Sequence, residues 1–170
     1  MNTSTARLYS LGFTSVRTYL IAALFVIGNI LFPQLCHMVP KGGLIMVPIY
    51  FFTLVGAYKY GMKTGLLIAV LSPILNYVLV GMPPISILPI LLIKSCLLAV
   101  AAAIAAQKTG KVSLLAILLA VLAYQVLGSV AEYIITANGT LAVQDFVIGY
   151  PGLIFQVIGG YLLLRVLAKI

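Results

Sequence analysis

Acidic residues are the scarcest feature of this chain. Of 170 residues two are Asp or Glu, against ten Lys and Arg. Two carboxylates, Glu132 and Asp145, lie far enough apart in sequence that no paired-acid site is expected. There is one histidine, His37, and there are two cysteines, Cys36 and Cys96. An intramembrane metalloprotease needs more ligands than that. Two cysteines give neither a disulfide framework nor a CxxC metal pattern. Cys36 and His37 are adjacent, so on a helix they point about 100° apart and make a poor metal pair. HExxH, GxSxG and P-loop patterns are absent, so the chain does not itself use ATP by the Walker route. No metal, cofactor or enzymatic activity is expected.

What fills the chain instead is apolar. Hydrophobic residues make up 64% and charged residues 7%, whereas a soluble domain is about half apolar and about a quarter charged. A water-soluble fold of this size has no means of hiding that much apolar surface. The expectation is an all-α integral membrane protein, one compact domain over residues 1–170. The formal net charge of +8 then reads as loop charge on the cytoplasmic side, not as a nucleic-acid footprint. Residues 1–15 are mixed and polar, and the first apolar run is too long for a signal-peptide core, so no cleaved leader is expected.

A spanning helix needs about 20 apolar residues. Six segments qualify: 16–38, 44–58, 62–80, 85–106, 112–137 and 143–167, the second of them short. Between them lie "VPKGG", "KYGMKTG", "GMPP", "QKTGK" and "ANGT", all rich in the residues that stop helices. Short connections make successive helices antiparallel neighbours. With the N-terminus in the cytoplasm, Arg7, Arg17, Lys59, Lys63, Lys108, Lys111, Arg165 and Lys169 fall inside, and only Lys41 and Asp145 fall outside. That asymmetry favours six spans with both termini in the cytoplasm. Gly61 with Gly65, and the run Ala99 to Ala106, offer small-residue faces for close helix packing, inside the bundle or against another membrane protein. The "NGT" triplet at Asn138 reads as loop punctuation.

Away from the ends, the spans hold two ionisable residues. Lys94 interrupts "PILLIKSCLLAV" about 15 Å below the outer end of the fourth span, and Glu132 lies about 8 Å below the outer end of the fifth. A charge at such depth costs several kcal/mol and faces a bundle interior or a wet cavity. A lysine reaching outwards comes level with Glu132. Three readings stay open: a Lys94–Glu132 bridge that orders the bundle, a site at which either group meets a ligand, and a lysine that only snorkels. Asn29, Gln34, Asn76, Ser95, Tyr124, Gln125, Tyr133, Tyr150 and Gln156 lie at similar depth, and Gln125, Ser129 and Glu132 share a helix face. These amides and phenols suit the wall of a binding pocket, although each alone also suits an interhelical hydrogen bond. Substrate-contact candidates are therefore Lys94, Glu132, Asn76, Gln125, Tyr133, Tyr150 and Ser95.

The stretch "LVGAYKYGMKTGLLIAVLSPILNYVLVGMPPISILPILLIKS" resembles the substrate-binding S components of energy-coupling factor (ECF) vitamin transporters. Gly56, the "KYG" turn leading to Gly65, Ser72–Pro73, "GMPP" from Gly81 to Pro84, and a polar residue about ten positions into the next span carry the resemblance. It covers about a quarter of the chain in motifs and the rest in layout. It implies a six-helix subunit of a bacterial cytoplasmic (inner) membrane that binds a vitamin or cofactor precursor. It further implies a transmembrane coupling protein and ATP-binding subunits that drive uptake. The resemblance puts the pocket in the outer half of the bundle. Connections 39–43, 81–84 and 138–144 would cap it, through Lys41, Met82, Pro83 and Asn138. One departure is on the first span: where family members often show Ala-x-x-x-Ala, Ala22, Ala23 and Gly28 include no pair four apart. The competing expectation is a stand-alone oligomeric channel or secondary carrier; a small membrane enzyme ranks below both.

Overall fold

The computed structural model of the protein describes residues 8–169; Arg7 and the rest of the N-terminal stretch 1–7 lie outside them. Among the described residues the regular structure is entirely helical. Five helices are long and apolar enough to cross a membrane: α1 (Val16–His37), α4 (Met62–Val80), α5 (Leu88–Thr109), α6 (Leu114–Thr136) and α9 (Tyr150–Leu167). Between them lie the shorter α2 (Gly42–Met46), α3 (Phe51–Tyr60), α7 (Gly139–Ala142) and α8 (Gln144–Val147). The outward faces carry bare aliphatic side chains, among them Leu20, Leu24, Ile27, Leu31 and Leu35 on α1. In water such a patch is a liability, whereas against acyl chains it is solvated. The architecture is consistent with a multi-pass membrane protein.

The helix limits follow local chemistry. α5 closes on Gly110 in the left-handed conformation, φ 62°, the usual glycine stop. Ser113 caps α6 by accepting from the Ala116 N–H, and Pro151 opens the first turn of α9, where its missing N–H costs nothing. Two expected spans come out divided. The last splits into α8 and α9. The second is broken in its middle: α2 ends at Met46, Val47 takes the left-handed conformation (φ 42°, ψ 49°), Pro48–Tyr50 forms one 3-10 turn, and α3 follows. Pro48 is the local cause. A residue before proline is pushed out of the right-handed helical region, and proline brings no N–H to continue the helix.

The short α3 is the centre of the bundle. It packs on α1, α4, α5 and α9, and Leu54, Val55 and Ala57 are fully buried. Glycine makes that approach possible, since a Cβ at Gly65 of α4 would collide with Ala57 of α3. The alanine run of α5 faces inwards as well: Ala99, Ala102, Ala103 and Ala106 are all buried. One face of this run therefore packs the bundle internally, while Ala101 and Ala105 on its other side stay half-buried.

Hydrogen bonds draw the basic connections to one end. Tyr9 N–H donates to Lys59 O at 2.8 Å, Tyr58 Oη donates to Lys111 O at 2.8 Å, and Lys59 Nζ donates to Leu167 O at 2.7 Å. The connections after α1, α4 and α6 lie at the opposite end.

Candidate functional site

The break in the second segment strands polar backbone groups inside an apolar bundle, and side chains of other helices meet two of them, the Phe52 N–H and the Val47 carbonyl. The Phe52 N–H, an orphan donor in the first turn of α3, donates to Asn29 Oδ1 of α1 at 3.1 Å. Asn29 Nδ2 donates to Thr53 Oγ1 and Ser72 Oγ, both at 3.0 Å. Pro33 frees the Asn29 carbonyl four residues earlier in α1; Asn76 Nδ2 of α4 takes it at 3.0 Å and the Ser72 carbonyl at 2.9 Å. On the other side, Gln156 Nε2 of α9 donates to Val47 O at 3.2 Å, and Gln156 Oε1 accepts from Tyr124 Oη of α6 at 3.0 Å. The Tyr124 ring meets Tyr50 with centroids 5.4 Å apart. Four long helices thus hold the irregular backbone at Val47–Tyr50. Non-helical backbone at membrane depth is tolerated only where it is buried in protein or lines a cavity.

Here it lines a cavity of about 580 Å³, within the range of small-molecule sites. The break supplies one wall through Val47 and Tyr50. The connection after α1 contributes Lys41, and the α4–α5 connection contributes Met82 and Pro83, joined by a cis peptide bond. Asn76 lines the cavity with its amide N–H groups already committed to Asn29 and Ser72.

The charges sit on this cavity. α5 begins at Leu88, so Lys94 lies six residues, about 9 Å, into the helix. Glu132 is four residues from the end of α6, about 6 Å in. The lysine is 3% exposed. Its Nζ donates to Glu132 Oε2 at 2.6 Å and to Asp145 Oδ2 of α8 at 2.8 Å. A glycine makes room for the stem: a Cβ at Gly128 of α6 would stand 2.6 Å from Lys94 Cγ. Glu132 and Asp145 line the cavity and keep some exposure, 13% and 18% of their side chains. The expectation of no paired carboxylates is corrected here. The two acids are 13 residues apart in sequence, and the α6–α7–α8 turn brings both onto one ammonium group.

Of the sequence-derived contact candidates, the fold brings Lys94, Glu132 and Asn76 to the cavity, with Lys41, Met82 and Pro83 at its edge. It does not bring the others there. Gln125 and Ser95 are fully buried away from the cavity, without a hydrogen-bond partner among the described residues for the Gln125 amide or for Ser95 Oγ. Tyr133 and Tyr150 are more than half exposed on the outer surface. Asn138 caps α7, its Oδ1 accepting from the Thr140 and Leu141 N–H groups. Asp145 and Tyr50 are the residues that spacing arguments missed. The "MVP" step before Tyr50 was the available signal for a helix break, and the scarcity of acid was the available signal that both carboxylates serve one purpose.

Comparisons with known protein families, with curated proteins and with solved structures find no match to this chain.

Proposed function

We propose that this chain is a membrane-embedded binding and translocating subunit for a small polar solute, a vitamin or cofactor precursor, of the kind its sequence resembles in ECF transporters. One observation carries the proposal: a ligand-sized cavity at one end of the bundle, walled by a broken helix and holding a buried Lys94–Glu132–Asp145 cluster. Discontinuous helices near the membrane interior are a recurrent way to present polar groups to a solute. Ionisable groups are kept at such depth where they serve a site.

In this reading α2, the 3-10 turn and α3 together make a sixth, interrupted crossing. Both termini are cytoplasmic, because the basic connections gather at one end and cytoplasmic loops carry the excess of Lys and Arg. The cavity then opens to the outside of a bacterial cytoplasmic membrane, under the connection that holds Lys41. The chain is not an enzyme. Uptake is energised by a transmembrane coupling protein with ATP-binding subunits, as the resemblance to ECF S components implies.

Affinity purification from native membranes tests this directly. Co-purification of an integral membrane protein and ATPases, lost on mild dissociation, is the expected result. Gradient-driven solute flux into vesicles that contain this chain alone would overturn the reading and favour an independent carrier or channel.

A further inference from the structure

The charge cluster at the floor of the cavity does not balance. One ammonium group faces two carboxylates, a net charge of −1 if all three are ionised. Among the described residues no other Lys, Arg or His nitrogen comes within 4.0 Å of either acid. Hydrogen bonding is equally lopsided. Lys94 spends two of its three N–H donors on Glu132 Oε2 and Asp145 Oδ2. The second oxygen of each carboxylate accepts nothing from the described residues. An uncompensated charge in a low-dielectric site is costly, and both acids line the cavity.

A second observation points to an occupant. Tyr50 lines the same cavity and is fully buried, yet its phenol oxygen has no hydrogen-bond partner among the described residues; Gln34 Nε2, also on a lining residue, is buried and unpartnered too. Buried polar atoms left single in a native fold call for a partner. The mouth has the opposite charge: Lys41 is exposed at the edge of the cavity.

We infer that the solute carries a cationic nitrogen, an amine or a protonated ring nitrogen, which sits on the free oxygens of Glu132 and Asp145, with Tyr50 beside it. Lys94 is then not the anchor for a ligand carboxylate or phosphate. It holds the two acids in place and leaves them one positive charge short, which the ligand supplies. This rests on the binding reading above and narrows its substrate class.

The test uses the purified full chain and three series of probes on phenyl, pyridyl and indole skeletons. Each skeleton carries an ethylamine, an ethanol or a propionate tail, and binding is read by thermal shift and calorimetry. The amine is expected to bind about tenfold or more tightly than its alcohol and propionate counterparts on at least one skeleton. Glu132→Gln and Asp145→Asn, each of which retains one Lys94 bridge, should weaken the amine by roughly 10- to 100-fold, the worth of one hydrogen bond to a charged group. If either variant fails to fold, the tail preference of the wild type still decides. Preference for the propionate or alcohol tail overturns the inference, and so does failure of every amine to bind at millimolar concentration. The binding reading stands or falls separately, on whether a small molecule co-purifies with the protein.

Discussion

Lys94 carries most of the site's energetics. Removing one partner of a buried ion pair costs about 3–5 kcal/mol, because the remaining charge is left uncompensated. Lys94→Met leaves two carboxylates facing each other, so it should lower the unfolding midpoint in detergent and abolish solute binding. Lys94→Met combined with Glu132→Gln and Asp145→Asn should recover much of the stability and none of the binding, which separates the two roles in one melting and binding series. Gly128 is the quieter determinant. A methyl group there meets the lysine stem at 2.6 Å, and overpacking of this kind costs about 1–3 kcal/mol. Gly128→Ala should therefore destabilise the protein by that order in a thermal melt and weaken binding, although it changes no charge. Lys94 and Glu132 were legible in the sequence because an ion in an apolar run is costly wherever it sits. Asp145 was not, since it lies at the outer end of the last expected span, where a carboxylate is unremarkable, and only the turn from α6 into α8 brings it to the lysine.

The broken second segment depends on contacts made at long range. Asn29 satisfies the Phe52 N–H and both neighbouring hydroxyls. Asn29→Leu would leave that buried donor single, at about 1–3 kcal/mol, and hydrogen exchange at 49–53 should accelerate while the ends of α4 and α5 stay protected. Val47 is the reverse case, a β-branched residue held in the left-handed region. Glycine adopts that conformation without the penalty of roughly 1–3 kcal/mol. Val47→Gly is thus expected to keep or raise the melting temperature, with the loss of a buried side chain working against the gain. Long, evenly apolar segments were read from sequence nearly to the residue, as with Met62–Val80. The break was not, because a proline alone does not say whether a helix kinks or stops: Pro33 and Pro73 lie inside continuous helices. What distinguishes Pro48 is the left-handed Val47 before it, held by Gln156 at the Val47 carbonyl.

The bundle as a unit has two unlike ends. One gathers basic connections through Tyr9, Tyr58 and Lys59; the other holds the cavity, where both carboxylates lie. The proposed orientation predicts that, in a Cys36→Ser, Cys96→Ser background, Lys41→Cys is labelled by an impermeant maleimide added to intact cells. Lys108→Cys should react only after the membrane is opened. The reverse pattern would turn the cavity towards the cytoplasm. The positive charge count made the basic end visible in advance; for the small-residue ladders spacing alone left open whether Ala99 to Ala106 faces a neighbour or the lipid. The most direct test of the central claim is native mass spectrometry of the protein released from its own membranes. One small molecule bound per chain in the wild type, and none in Lys94→Met protein that is still folded, is the result expected. A wild type that carries nothing, or a Lys94→Met variant that retains the same molecule, would contradict it.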